Sequence, residues 1–167
     1  MTLLRKIVRR IPYFPADDES GHADLLSELP PGNPPHGGSS SERGAWAERL
    51  AAGYLCDKGM EILAKNYRCK FGEIDLILSQ GITIVFVEVR FRRSLHFGTG
   101  AESVDCRKKR RIVRTARHYL QQNPLLRDKP CRFDIVSISL PDKGDTRRGI
   151  QWISAAFDEH TAFNYTV

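Results

Sequence analysis

Two carboxylates occupy neighbouring β-rich stretches of the sequence, Asp75 in GEIDLILS and Glu88 in ITIVFVEVRF. The short connection between these stretches predicts an antiparallel hairpin. A turn around Gln80 and Gly81 would place Asp75 opposite Phe86 and diagonal to Glu88, with backbones roughly 7 to 8 Å apart. A register moved by two residues would instead set the two acids directly opposite, at about 4.5 to 5.5 Å. In either register one cation can reach both carboxylates.

Paired carboxylates at the edge of an apolar core need a positive partner, because they repel each other and are poorly hydrated. The sequence is compatible with two kinds of partner. Arg90, on the same strand face as Glu88, or Arg92 could form an ordinary salt bridge. A hard divalent cation, Mg²⁺ or Mn²⁺, could instead bind the carboxylate oxygens, with water completing its coordination. Asp75 and Glu88 are therefore the candidate metal ligands.

The chain as a whole is basic, with 26 Lys and Arg against 20 Asp and Glu among 167 residues. This length allows one domain with a substantial core. The excess positive charge favours a polyanionic partner, nucleic acid ahead of an anionic membrane surface. Four cysteines without C-x-x-C spacing favour reduced thiols in a cytoplasmic protein rather than a zinc site or a disulfide framework. Charges interrupt the N-terminal segment before signal length, and no apolar run is long enough to span a membrane.

The sequence predicts an extension followed by a single folded domain. Residues 1–41 end in a stretch rich in Pro, Gly and Ser, with too few apolar groups to form a core, so we interpret them as a flexible linker. The domain then occupies residues 42–167. One helix is expected to stop near Gly59, and a second to run from about Asp105 to just before Pro124. With three strands between these helices and two after them, the predicted order is α-β-β-β-α-β-β.

A strongly basic stretch follows the hairpin and continues into the second helix, with ten basic and two acidic residues between positions 90 and 117. On the helix the basic residues recur at three- and four-residue intervals, opposite an apolar stripe of Val113, Ala116 and Leu120. Like charges at this spacing destabilise a helix, so we expect an external anion such as a phosphate backbone. The predicted nucleic-acid-binding residues are Arg92, Arg93, Arg107, Lys108, Arg110, Arg111 and Arg114.

Four ordered motifs resemble those of the YraN family of small bacterial endonuclease-like proteins. They are GAWAERLAAGYL with Gly44 and Glu48, GEIDLI with Asp75, FVEVRFR with Glu88 and Arg90, and RFDIV with Asp134. The resemblance covers nearly all of residues 42–167. It implies an α/β fold with a restriction-endonuclease-like core, in which helices flank a mixed central sheet in the predicted order.

The resemblance also implies a site and an activity. Resolvase-like nucleases use a helix Glu, a strand Asp and a Glu-x-Lys pair, so Glu48, Asp75 and Glu88 would form an acidic constellation that binds Mg²⁺ or Mn²⁺. Such an ion neutralises the scissile phosphate and activates a water molecule. Arg90 stands where these nucleases have lysine. An arginine cannot act as a general base, but it can clamp a phosphate or orient water.

Three acids have alternative, structural interpretations. Glu73 could support the site or simply be an exposed residue at the start of a strand. Asp134 is expected to pair with Arg132 or another arginine rather than bind a metal. Without the resemblance, Glu48 would be interpreted as a solvated helix residue.

The sequence is compatible with three functions. The first is a metal-dependent endonuclease, with DNA the favoured substrate, that selects nucleic-acid structure and acts in repair or recombination. The second is a non-catalytic nucleic-acid-binding protein on a nuclease-like fold, which the arginine at position 90 favours. The third is an interaction protein whose basic helix docks on an acidic partner. Resolvase-like folds often form two-fold dimers, so a homodimer is a further expectation from the resemblance.

Overall fold

The computed structural model describes residues 38–92, 105–139 and 149–163. These ranges form a five-stranded mixed sheet with helices packed against both faces, which confirms the predicted α/β class. The elements are α1 (Ser40–Asp57), β1 (Glu61–Cys69), β2 (Gly72–Gln80), β3 (Thr83–Arg92), α2 (Cys106–Gln122), a 3-10 turn (Pro124–Leu126), β4 (Cys131–Ser139), β5 (Gly149–Phe157) and α3 (Glu159–Phe163).

The extension predicted for residues 1–41 falls mostly outside the described residues and stays a prediction. Helix α1 begins at Ser40, slightly before the predicted domain boundary. No helix within the described ranges combines the length and the apolar character needed to cross a bilayer.

Local sequence signals set the ends of α1. The Ser39 side chain accepts a hydrogen bond from the Glu42 N–H at 3.2 Å, and the Glu42 carboxylate accepts one from the Ser39 N–H at 2.6 Å. This reciprocal capping box satisfies two backbone donors that the first helical turn leaves without partners. The helix ends at Asp57, and Gly59 follows with a φ of +80°, close to the predicted stop.

Helix α2 is amphipathic, as its sequence predicts. The Asp105 carboxylate caps it by accepting a hydrogen bond from the Lys108 N–H at 2.7 Å, and the helix ends at Gln122, before Pro124. Its inward face carries Ile112, Val113, Thr115, Ala116 and Tyr119, all buried.

The strands are ordered β1-β2-β3-β4-β5, and within residues 38–92, 105–139 and 149–163 the β3–β4 pair alone is parallel. Parallel neighbours need a crossover, which α2 provides. The carboxyl ends of β3 and β4 consequently lie at the same edge of the sheet. Ligands of open α/β sheets bind at such an edge.

The sheet separates two apolar cores. The α1-side core contains Leu76, Leu78, Val85, Val87 and Val136 among its strand residues. The α2-side core contains Ile77, Ile84, Phe86, Phe133, Ile135 and Phe157. Because the middle strands are apolar on both faces, any charged group within them is held away from water.

The β2–β3 hairpin differs in register from the first prediction. Its turn consists of Gly81 and Ile82, and Gln80 is the last residue of β2. The predicted pairing of Asp75 with Phe86 is therefore wrong, and the register moved by two residues is the one adopted. Gly81 has a φ of +59°, which suits the first central position of a two-residue type II′ turn.

Candidate active site

The backbone ladder between β2 and β3 ends at Leu76 and Val87, one position before Asp75 and Glu88 would pair. Beyond that point a side-chain oxygen, rather than a backbone carbonyl, accepts the hydrogen bond from the neighbouring strand. Oδ2 of Asp75 accepts a hydrogen bond from the Val89 N–H at 2.7 Å. The Asp75 carboxylate therefore lies between two diverging strands.

The direction of β2 changes at the same place. Ile74 belongs to the α2-side core, whereas Leu76 and Leu78 belong to the α1-side core. Regular strand alternation would put these three side chains on one face, so Ile74 departs from it. On the adjacent strand β1, Asn66 has a φ of +52°, a conformation that asparagine tolerates better than most residues. This bend breaks the regular alternation of side chains around Asp75.

Glu88 is a buried acid whose two carboxylate oxygens have different surroundings. Its side chain is only 4% exposed; Oε1 lies 3.0 Å from Nζ of Lys108 and 3.6 Å from a guanidinium nitrogen of Arg90. Oε2 is buried and has no hydrogen-bond partner among the residues that the structure describes. A buried carboxylate oxygen in this state costs free energy. One oxygen is thus neutralised internally, and the other lacks a partner among the described residues.

Burial raises the pKa of both acids, and the charge of Glu88 also acts on Asp75. Burial raises the pKa of Asp75 to about 7, and the negative charges of Glu88 and, more weakly, Glu48 add to the rise. The hydrogen bond from Val89 acts in the opposite direction. Burial also raises the pKa of Glu88, against the lowering effects of Lys108 and Arg90. A cation between the acids would stabilise their ionised forms.

Glu48 approaches the pair from α1. It is half-buried, and it precedes the buried residues Ala51, Ala52 and Leu55 by three, four and seven positions, so it lies beside the inward face of the helix. Its charge contributes to the raised pKa of Asp75. However, no three Asp, Glu, His or Cys side chains in the described ranges are grouped to hold a metal ion. The site is thus a carboxylate pair with a third acid nearby.

Helix α2 brings the start of its basic face to the acids. Lys108 lies in the first turn and contacts Glu88, and the preceding Arg107 is exposed. Farther along the helix, Arg111 and Arg114 are also exposed. The basic surface formed by Arg107, Arg111 and Arg114 therefore extends from the carboxylate pair along α2.

Other predicted nucleic-acid-binding residues have different surroundings. Nε of Arg110 donates a hydrogen bond to the carbonyl oxygen of Ala162 in α3 at 3.1 Å. Arg92 is half-buried at the end of β3, and Arg93 lies outside the described residues. Among the described members of the predicted set, Arg107, Arg111 and Arg114 are the exposed ones.

Asp134 has a structural role. It is fully buried and accepts hydrogen bonds from Arg132 Nε at 2.9 Å, Trp152 Nε1 at 3.0 Å and the Ala155 N–H at 2.9 Å. The predicted pairing with Arg132 is confirmed. These contacts tie β4 to the irregular part of β5, where Ala155 has a φ of +50°. Glu73 is exposed and pairs with an arginine of β1 at 3.3 Å.

Two residues near the pair were missed as members of the site. Lys108 was predicted only as a phosphate contact, because sequence spacing does not show that it meets Glu88. Ser137 pairs with Arg90 in the parallel β3–β4 ladder, and its buried Oγ finds no hydrogen-bond partner in the described part of the chain. Its signal in the sequence is a hydroxyl interrupting the apolar run of β4.

Comparisons with known proteins place these residues in a family. A model described as "Uncharacterised protein family UPF0102" matches residues 47–138. A UPF0102 protein of Nitrosomonas europaea is 49% identical over 121 residues, covering 72% of this chain and 98% of the relative. For relatives from Methylobacillus flagellatus and Pseudomonas aeruginosa strain LESB58, the identities are 47% over 111 residues and 42% over 120 residues. Those matches cover 66% and 72% of this chain, and 92% and 95% of the relatives. The chain therefore belongs to the UPF0102 family, the YraN family that its motifs resemble.

Proposed function

We propose that the protein is a divalent-metal-dependent phosphodiesterase that acts on nucleic acid, with Asp75 and Glu88 as the metal-binding pair. The observation that carries this proposal is the buried Oε2 of Glu88, which has no hydrogen-bond partner among the described residues, beside Asp75, a partly buried acid with a raised pKa. Two acids arranged in this way destabilise the metal-free fold unless they retain a proton.

The donor set of the pair suits Mg²⁺ or Mn²⁺. Both donors are hard carboxylate oxygens, and these ions commonly keep several water or phosphate ligands in addition to one or two carboxylates. When bound, the ion would supply Lewis-acid stabilisation of the phosphate and activation of water. Asp75 and Glu88 would hold it, while the Val89 N–H fixes the orientation of the Asp75 carboxylate. Arg90, next to Glu88, would place a guanidinium against the phosphate.

The order of elements supports the same proposal. Helix α1, the strands β1 to β3 and the crossover α2 leading to the parallel strand β4 are compatible with a restriction-endonuclease-like core. In that fold Glu48 is the helix acid, and its electrostatic effect on Asp75 supports a place at the rim of the site. We propose that it positions a water molecule or the ion through water.

The basic surface of Arg107, Arg111 and Arg114 is suited to a phosphate backbone, because such contacts give affinity without reading bases. We therefore propose DNA as the favoured substrate, selected by its structure, with a role in repair or recombination. A homodimer is part of the same proposal, and sedimentation of the purified protein with and without branched DNA would test it.

A second function has one specific observation in its favour. Lys108 and Arg90 already place positive charge beside Glu88, at 3.0 and 3.6 Å from the same oxygen. Such internal counter-ions are compatible with a non-catalytic nucleic-acid-binding protein. The basic surface alone is also compatible with an acidic protein partner, and competition by short duplex DNA would separate these alternatives.

The deciding experiment is calorimetric titration of Mn²⁺ and Mg²⁺ into wild type, Asp75→Asn and the control Glu73→Gln, with and without branched or linear DNA. Cleavage of the same DNA is assayed in parallel. The proposal expects Asp75→Asn to lose metal binding and cleavage but retain DNA binding, while Glu73→Gln behaves like wild type. Metal binding absent from wild type under every condition would contradict the proposal and favour the non-catalytic alternative.

A further inference from the structure

We propose that Lys108 is an exchangeable counter-ion: it neutralises Glu88 in the metal-free protein, and metal binding releases it towards the phosphate of bound nucleic acid. This inference rests on the proposed function and assigns Lys108 a role beyond general affinity for phosphates. Lys108 would be a positioning residue towards the metal and a direct contact towards the substrate.

The contact itself has the geometry of an exchangeable pair. Lys108 Nζ lies 3.0 Å from Oε1 of Glu88, and the lysine side chain is 28% exposed whereas that of Glu88 is 4% exposed. The ammonium thus sits at the boundary between the buried acid and solvent. Its flexible four-carbon stem allows it to move outward without leaving a buried charge of its own.

The position of Lys108 on α2 strengthens the argument. It lies in the first helical turn, where the helix dipole is positive and a cation is unfavourable, and that turn contains no acidic residue. Glu88, which contacts the ammonium, and the capping carboxylate of Asp105 offset this cost. When a divalent ion binds Glu88, the positive charge at the start of α2 is no longer neutralised by this acid. That charge comes from Lys108, the adjacent Arg107 and the helix terminus, and together they favour binding of a new anion. A phosphate group meets that requirement.

Arg90 is less able to exchange than Lys108. It follows Glu88 by two positions on β3, so the alternation of the strand keeps both side chains on one face. Lys108 comes from another element and can leave without a change in the strand. An ammonium supplied by α2 would therefore provide the lysine that the β3 motif lacks at Arg90.

The test compares Lys108→Gln with the matched control Lys109→Gln, which removes the same charge one position away, where the side chain lies over the Phe157 ring. Mn²⁺ affinity is measured by calorimetry at pH 8 without DNA. Because a competing cation is removed, Lys108→Gln should bind Mn²⁺ about tenfold more tightly, whereas Lys109→Gln should match wild type.

Three further measurements test the role of the Lys108 ammonium. At saturating Mn²⁺, cleavage by Lys108→Gln should fall at least about tenfold. Metal should also increase the DNA affinity of wild type more than that of Lys108→Gln, because the two binding events are coupled through this side chain. In EDTA at pH 8, Lys108→Gln should lower the melting temperature more than Lys109→Gln.

The outcomes separate this inference from the proposed function. Absence of metal binding by wild type, with or without DNA, would overturn the proposed function and the exchange together. If wild type binds Mn²⁺ and Lys108→Gln binds it no more tightly, the exchange alone is overturned. Tighter metal binding combined with slower cleavage would support the exchange, since a merely structural lysine would not produce opposite effects.

Discussion

The Asp75 carboxylate accepts a hydrogen bond from the Val89 N–H at 2.7 Å, just beyond the last backbone pair between β2 and β3. A side chain thus replaces the next step of the ladder. This contact fixes one oxygen of Asp75, while the negative charge of Glu88 contributes to the raised pKa of the same carboxyl. Its consequence is that the acid pair is built into the sheet rather than carried on a loop.

Asp75→Asn should abolish metal binding while stabilising the metal-free protein at pH 8 by about 1 to 3 kcal/mol. The amide oxygen can still accept the Val89 N–H, but the buried negative charge is removed. Urea denaturation in EDTA measures the stability, and Mn²⁺ titration measures the binding. A variant less stable than wild type at pH 8 would show that the Asp75 charge is not a destabilising one.

Stability of the metal-free wild type should fall as the pH rises from about 4 to 8. Burial raises the pKa of Asp75 from 3.8 to about 7 in the folded state, so the folded protein binds this proton more tightly than the unfolded chain. The free energy of unfolding therefore decreases with pH across this window, with a contribution in the same direction from Glu88. Denaturation at several pH values should show this dependence reduced in Asp75→Asn.

Metal binding should release protons near pH 6, because the ion replaces the proton that the acid pair retains. The affinity for Mn²⁺ should accordingly rise between pH 5.5 and pH 8. Calorimetry in two buffers with different ionisation enthalpies counts the released protons. Equal heats in the two buffers at pH 6 would contradict the raised pKa of Asp75.

Glu48→Gln should have a milder effect than Asp75→Asn. Removing the negative charge of Glu48 lowers the pKa of Asp75 and should shift the pH dependence of metal affinity towards lower pH. Metal binding itself should persist, because Glu48 does not join a group of three metal-binding side chains in the described ranges. Mn²⁺ titrations at pH 6 and 8 test both statements. Complete loss of metal binding would show that Glu48 is itself a metal ligand.

Replacing Arg111 by Ala should weaken DNA binding at low salt and reduce the salt dependence of the affinity by about one counter-ion. Its guanidinium is exposed on the basic surface beside the β1–β2 turn. Arg117→Ala is the matched control, because Arg117 is already engaged with Glu159 at 2.7 Å. Binding measured at several salt concentrations separates the two variants. If the DNA affinity of both variants depended on salt concentration with the same slope, Arg111 would not contact the phosphate backbone.

Much of the fold can be predicted from local sequence. Capping residues and the breaker positions at Gly59 and Pro124 delimit the two long helices, because the backbone donors and geometry at helix ends have strict requirements. Nearly continuous apolar, β-branched runs predict the central strands, because strands covered on both faces are apolar throughout. The acid pair could also be found, since charged residues are conspicuous in strands that are apolar on both faces.

The exact contacts could not be predicted in the same way. A shift of the hairpin turn by one residue moved the register by two, and local sequence did not distinguish these turns. The bend between Ile74 and Leu76 depends on packing against helices of both faces. Lys108 meets Glu88 only because α2 crosses over the sheet, a tertiary relationship that spacing along one helix does not contain.

The short turn of Gly81 and Ile82 has a consequence for how the family can vary. Ile82 is 71% exposed and lies several residues from Glu88, so its side chain is free to change. The number of residues in the turn is not free to change, because a one-residue slip between β2 and β3 would turn Glu88 towards the opposite face of the sheet. The length of the turn therefore sets the register that brings the two acids together. Relatives can substitute residues in the turn, whereas an insertion or deletion there would separate Asp75 from Glu88.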